Sequence, residues 1–490
     1  MEYILGTDIG TGSVKTVILD FSGKVLGGTH QYYPTLNPQP GWQEQDPDTI
    51  FNGFINCIRE AIGQMGVAPV AVALSSAMHS LMAVNDEGAA ISRLLLWSDN
   101  RSASIADELR NSNLGRSIYA AGGAPIHAMT PICKLAWWRQ HDNQLFQRAS
   151  KFISIKEYIW WRLFGEYRID YSLASATGLF DIGACSWNDA ALSFAGIEPR
   201  QLSEPVPVSY RNAHIHTRYA KHMHLDATTP FVIGASDGCL ANVGTQALTP
   251  GTAAITIGTS AAVRIARPEP IRQFSFMPFN YMLDENNFIC GGPVNNGGNI
   301  LAWSTNTFFS SDTSTGYDQV FKKIENVPAG CNGLVFLPYL NGERSPVWDE
   351  RTSALFFGIK PQHDAAHFLR ASIEGVCFAL RQVLLLLEGA SGPIHEIHVS
   401  GGFVHSNQWV QLLADITGKR LVAHGTEDAS AVGAAYLGLK TMKVVASYSS
   451  LHHAHSRQFE PDRKLGAIYE KNWSVFEKLY PLLKDLMHQN

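Results

Sequence analysis

Residues 8–15 read Asp-Ile-Gly-Thr-Gly-Ser-Val-Lys, set between the apolar runs at 3–5 and 17–19. Small residues in a tight turn aim their backbone N–H groups into one concavity, and such a nest holds an anion. Gly10, Thr11, Gly12 and Ser13 could form one, with Lys15 as a nearby cation. Asp8, at a strand end, could hold a magnesium ion directly or through water, so one stretch meets the needs of a nucleotide triphosphate. It is neither a P-loop nor a Rossmann motif: the chain has no G-x-x-x-x-G-K-[ST], and G-T-G-S-V-K lacks the third glycine. A β-turn whose glycines only satisfy a positive φ explains the same letters, and this stretch alone leaves both readings open.

Residues 257–260, Ile-Gly-Thr-Ser, repeat the pattern at the opening of the second half, where TIGTSAAVRIA shares an I-G-T core with DIGTGSVKTVIL. Two such turns could grip phosphates from opposite sides. Paired Gly401 and Gly402, between a strand and a helix, would let an adenine or ribose lie flat against backbone, or would mark only close packing. Asp237, in GASDGCLANVG, follows a buried apolar strand. A carboxylate held there can orient and deprotonate a hydroxyl, worth roughly 10²–10⁴ in rate. The same letters allow Ser236 or Asp237 to cap a helix beginning near Cys239.

His79, Trp97, Asp99 and Arg101, in AMHSL and LLLWSDNR, could line a site for a polyhydroxylated substrate, with an aromatic wall against carbons and polar groups on hydroxyls. The plainer reading of His79 is a satisfied core residue. His452, His453 and His455 lack helical ligand spacing and read as a solvated surface run.

These residues need rigid elements behind them. The 490 residues are enough for two or three domains with sizeable cores, and 45% hydrophobic with 17% charged residues is an ordinary globular composition. A formal charge of -5 and no Lys/Arg-rich run argue against nucleic acid as a partner. Seven scattered cysteines, none in a C-x-x-C pair, argue against a disulfide framework or zinc site and favour a reducing compartment. The start has no basic leader and no apolar stretch approaches a membrane span, so the expectation is a cytoplasmic protein without membrane association.

Strands are predicted in 3–9, 13–20 and 25–33 (a meander), 69–76, 230–238, 252–266 (strand, glycine turn, strand), 333–340 and 395–402, the last ending in paired glycines. Helices are predicted in LAWWRQHDNQLF, IKEYIWWRLFG and SNQWVQLLADITG, the last capped at Ser406 or Asn407. Their aromatics fall near helical spacing and read as core.

Two longer segments carry a resemblance. MTPICKLAWWRQH (129–141) follows the first signature of the FGGY carbohydrate kinases except at Trp138, where a smaller apolar residue is usual, and ALFFGIKPQHDAAHFLRASIE (354–374) satisfies their second signature throughout. With the hairpin, GASDG, IGTS and SGGFVHSN, the chain resembles that family over essentially its whole length. The resemblance implies an α/β fold of two ribonuclease-H-like domains of the actin-like ATPase superfamily with an interdomain cleft. Residues 1–245 would carry the sugar site and first phosphate hairpin, and 246–490 the nucleotide, with 460–490 free to pack on either. Within the family, SSAMHSLMAV, LLLWSDNR, DYSLASATGLFDI, GGPVNNGGNILAW and GERSPVWDE resemble the gluconate-phosphorylating branch, and Ser80 stands where xylulose kinases typically show glycine.

The activity implied by the resemblance is ATP- and Mg2+-dependent phosphorylation of D-gluconate to 6-phosphogluconate. Asp237 would be the base, and Asp8 and Asp237 would meet magnesium. Thr11, Gly12, Ser13 and Lys15 would take one side of the nucleotide phosphates, with Gly258 and Thr259 on the other. Gly298, Gly401, Gly402 and Ser406 would line the adenosine pocket, and Met78, His79, Trp97 and Asp99 would contact the sugar acid. Met129 occupies a place where some relatives use an aromatic substrate contact, and its role is open. The alternatives are another FGGY kinase, such as one for xylulose, and a non-catalytic actin-like ATP-binding switch. The oligomeric state, a homodimer included, is open.

Overall fold

A computed structural model describes residues 1–309, 317–424, 428–451 and 456–489. The histidine run at 452–455 lies outside the described residues. The chain divides into two compact units, each assembled from separated segments. The first comprises Met1–Gln246, Arg267–Cys290 and the described part of Asp428–His453; the second comprises the rest.

In the first unit a six-stranded sheet runs in the order Arg211–Asn212, Phe231–Ser236, Ala71–Ser76, Tyr3–Ile9, Ser13–Asp20, Val25–Tyr32. The three apolar runs at the N-terminus form an antiparallel meander, because Gly10–Gly12 and the turn near Gly23 reverse the chain between them. Tyr3–Ile9, Ala71–Ser76 and Phe231–Ser236 are parallel, so their carboxyl ends share one edge. In open α/β sheets that edge is where ligands bind. Helix Pro47–Met65 covers one face, burying Ile50, Phe51, Phe54, Ile55 and Ile58. Helix Ala429–Thr441, rich in small residues, packs against the sheet so closely that a Cβ on Gly6 would lie 2.0 Å from the Ala431 carbonyl oxygen. Its contact with helix Asp237–Gly244 is equally tight: a Cβ on Gly433 would meet Leu240 O at 1.9 Å. Trp138 and Trp160 are buried, as the helical spacing predicts.

The second unit repeats this plan. Hairpin strands Thr252–Ile257 and Ala261–Arg267 are antiparallel, and the first pairs in parallel with Glu396–Ser400, which pairs in parallel with Arg420–Ala423. The weak I-G-T repeat therefore marks equivalent hairpins. The strand expected over 333–340 is confined to Val335–Leu337. Helix Gly466–Met487 is fixed within this unit through Asp349, which accepts from Tyr480 at 2.9 Å and contacts His488 Nε2 at 2.5 Å. All seven cysteines are free thiols, and among the described residues no helix is long and apolar enough to cross a membrane.

Candidate active site

In the first unit, sheet register decides which side chains meet. Asp8 lies opposite Ser75 on the parallel neighbour, whose end at Ser76 aligns with Ser236, so Asp8 and Asp237 emerge from nearby points on the carboxyl edge. The Ser75 hydroxyl donates to Asp8 at 2.6 Å. Burial first, and the negative charge of Asp237 second, push the Asp8 carboxyl up to about 7 against the Ser75 bond and Lys15. A divalent cation would relieve that strain. No described group of three or more His, Cys, Asp or Glu residues makes a ready-made metal cage. One or two carboxylates supplemented by substrate phosphates is the ordinary magnesium pattern, and Asp8 with Asp237 fits it.

The next helix begins at Asp237, and Ser236 supplies its cap by accepting from Cys239 N at 3.3 Å. The Asp237 carboxylate is thus not consumed as the cap; it accepts from Gly238 N at 2.6 Å. Ser430, in the first turn of helix Ala429–Thr441, donates to the Asp237 carbonyl at 3.0 Å. Two helix N-termini therefore meet beside the carboxylates, favouring negative charge there.

Asp428 precedes that second helix and binds Lys15 Nζ at 2.6 Å. Burial alone would lower the Lys15 ammonium, but the Asp428 hydrogen bond and charge, with Asp8, raise it instead. Asp428 is a candidate that sequence reasoning misses. Its signal is an aspartate directly before the small-residue run ASAVGAA.

The hairpin tip is braced from several sides. Gly10 N donates to Ser13 O at 3.0 Å, the Tyr33 hydroxyl donates to Gly10 O, and Gln45 Nε2 donates to Thr11 O at 2.6 Å. Neither Gly10 nor Gly12 has a positive φ, so the turn does not demand glycine for its conformation. A Cβ on Gly12 would meet nothing within 4 Å. Ser13 is buried.

Of the sugar-site candidates, the structure brings Met78 and Trp97 together with Thr11, around a small hollow also lined by Gln45 and Ser80. Trp97 Nε1 donates to the Thr11 hydroxyl at 3.1 Å. His79 has φ +65, with Nδ1 2.9 Å from Ala176 O and Nε2 3.1 Å from the Tyr281 hydroxyl. That geometry matches the plainer core reading. Asp99 is fully buried one layer behind; its oxygens accept from Gln43 N and from the Arg101 backbone and guanidinium at 2.8–3.1 Å. It orients Arg101, which also pairs with Glu44 at 2.6 Å and stacks on Trp42. Met129 is buried, its N–H donating to His127 Nδ1 at 3.1 Å. Lys134, from the first signature, donates to the carbonyls of His79 at 2.7 Å and Leu96 at 2.6 Å and so ties the segments carrying Met78 and Trp97 together.

In the second unit the turn at Gly258 and Thr259 docks on the start of helix Gly298–Phe308, where Gly298 N donates to Gly258 O at 2.7 Å. A Cβ on Gly298 would lie 2.7 Å from that same oxygen, so packing alone requires this glycine. Gly401 has φ +97 and sits against Ile257, where a Cβ would meet the carbonyl oxygen at 2.3 Å. Gly402 opens the 3-10 turn Gly402–His405. Ser406 is buried and caps helix Asn407–Thr417 by accepting from Trp409 N at 3.2 Å. Gly258, Thr259, Gly298 and Gly401 are thus neighbours, while the Ser406 hydroxyl bonds within its own helix start.

Comparison with known proteins gives this arrangement its context. The profiles of the FGGY family of carbohydrate kinases match residues 3–244 (N-terminal domain) and 253–442 (C-terminal domain). A gluconokinase of Bacillus licheniformis is 37% identical over 500 residues, covering 99% of this chain and 95% of its own. The crystal structure of gluconate kinase from Lactobacillus acidophilus superposes with a TM-score of 0.92 at 30% identity, covering 98% of each chain. Ligand-bound xylulose kinase from the same species gives 0.93 at 30% identity, covering 99% of each. With both domain profiles matched along the chain, the protein belongs to the FGGY family of carbohydrate kinases.

Proposed function

We propose that this kinase transfers the γ-phosphate of ATP to the primary hydroxyl of D-gluconate, giving 6-phosphogluconate and ADP. Asp237 takes the hydroxyl proton as the oxygen bonds to the γ-phosphorus and the bond to the β-phosphate bridge breaks. Asp8 and Asp237 would hold the magnesium ion, whose charge offsets that of the phosphates. Thr11, Gly12, Ser13 and Lys15 are assigned to the phosphates from the first unit, and Gly258 and Thr259 from the second. Gly401 and Gly402 are assigned to the adenosine, with Gly298 and Ser406 shaping the backbone around them. Met78 and Trp97 are assigned to the sugar acid, backed by His79 and Asp99. In this reading 1–245 carries the acceptor site and 246–490 the nucleotide.

The observation that carries the chemistry is the proximity of two carboxylates at the strand ends: Asp8, raised to about 7 by burial and the charge of Asp237, and Asp237 at the first position of a helix that Ser236 caps. Gluconate rests on the gluconokinase likeness, and the equally good superposition of a xylulose kinase keeps that ketose as the second reading. A comparison of kcat/KM for gluconate, xylulose, ribulose and glycerol tests the choice. A site built around the carboxylate of the acid should reject neutral analogues by about 10⁴ or more, whereas shape alone gives about 10–200-fold. A preference for xylulose would overturn the gluconate assignment.

A further inference from the structure

The strand that ends at Asp237 is irregular just before it gets there. Val232 pairs with Ala73, but Ala235 pairs with Ser75, so one extra residue enters between them. Such a bulge bends the strand and reverses which face the next side chains take. Gly234 is at its centre, with φ +70 and a would-be Cβ only 1.7 Å from Leu74 O, so glycine is obligatory there. A strand without this residue would present a different face at position 237.

A buried ammonium holds the bulge. Lys156, on helix Ile155–Phe164, donates to the carbonyls of Ile233 at 3.1 Å and Ala235 at 3.0 Å, one on each side of Gly234. Its third neighbour is the Asp170 carboxylate at 2.6 Å, and side-chain exposure is 2% for Lys156 and 0% for Asp170. The ammonium thus donates to two carbonyls and is neutralised by one carboxylate. Asp170 Oδ1 also caps the next helix by accepting from Leu173 N at 3.0 Å. That helix carries Ser172, whose hydroxyl donates to Ser236 Oγ at 2.8 Å and accepts from Ser236 N at 3.1 Å. The residue before Asp237 and the bulge two residues earlier are therefore held by one short segment, 170–172, acting with Lys156.

A buried ion pair is a poor source of stability, since apolar residues of similar volume serve as well or better. What this one fixes is geometry. We propose that Lys156, Asp170 and Ser172 are positioning residues that set the face and depth of the Asp237 carboxylate. The inference rests on the reading of Asp237 as the base. It also gives a function to the DYS start of the segment 170–182, which no substrate role absorbs.

The test is kinetic, using the whole enzyme with MgATP and the best acceptor of the panel above. Lys156→Met/Asp170→Leu removes both charges together, so neither is stranded. Its kcat should fall about 10²-fold, the scale expected when a reacting group is misplaced by an ångström, with both KM values within about threefold of wild type. In an Asp237→Asn background the same pair should change the residual kcat by less than about twofold. Ser172→Ala, a milder change, should lower kcat several-fold in the parent and not in Asp237→Asn. A wild-type kcat in the folded double variant overturns the proposal, as does an equal loss in both backgrounds. If the double variant does not fold, a wild-type kcat for Ser172→Ala overturns it. Full activity of Asp237→Asn itself would instead remove the base, and this inference with it.

Discussion

Gly12→Ala adds one methyl group at a position where the chain itself leaves room for it. The backbone there is outside the left-handed region and the new Cβ would have no neighbour within 4 Å. Folding should therefore gain, by about 0.4–1 kcal/mol, because alanine restricts the unfolded chain more than glycine does. Binding should lose. If the hairpin amides cradle a phosphate, the methyl group holds that phosphate off, and a charge-assisted hydrogen bond is worth about 1.5–3 kcal/mol. That converts to a rise of about tenfold to a hundredfold in the dissociation constant for ATP. The two effects have opposite signs, which a general disturbance of the fold would not produce. Urea midpoints and titration calorimetry with MgATP read them separately. An alanine variant that is at least as stable and binds ATP as tightly as wild type would refute the phosphate assignment of the hairpin.

The glycines of the second unit should divide in the same way. Gly258→Ala, where the nearest atom is Ser260 O at 3.9 Å, should fold normally and weaken ATP binding. Gly401→Ala, with φ +97 and Ile257 O at 2.3 Å, should cost stability by about 1–3 kcal/mol or more, visible as a lower urea midpoint; an unchanged midpoint would contradict the geometry. Lys134 tests burial beneath the segments that carry His79 and Leu96. Burial, opposed by Asp99 and helped by Arg101, lowers its ammonium from 10.5 to about 7. The unfolded chain then binds the extra proton between about pH 7 and 10.5, so this group makes stability rise with pH across that window. Urea midpoints at pH 7 and 9.5 should show wild type gaining relative to Lys134→Met, and parallel behaviour of the two would count against a depressed lysine.

Local patterns in the sequence carry much of the site. The DIGTGSVK hairpin, its IGTS counterpart and the strand ending at Ser236 are legible because each is a short apolar run closed by small residues, and their pairing is local or arises from a parallel sheet. The choice between Ser236 and Asp237 as cap is not legible, since either side chain suits the position and only the helix start decides. Asp428 escapes because its partner Lys15 is 413 residues away, joined through a helix that packs back on the first sheet. Asp99 reads as a substrate ligand from its polar loop, but the neighbouring Arg101 and Gln43 hold its oxygens in a fully buried position. Lys134 and Lys156 carry no local signal of burial; their partners are carbonyls of distant segments, His79 and Leu96 for one and the bulged strand at Ile233 and Ala235 for the other.

The most direct test of the account is Asp237→Asn, measured for ATP affinity and for ADP formation in the presence of gluconate. Asparagine keeps the shape and loses the proton acceptor, so MgATP should bind within a few-fold of wild type while kcat falls by at least about 10². Turnover at the wild-type rate would contradict a mechanism in which this carboxylate takes the hydroxyl proton.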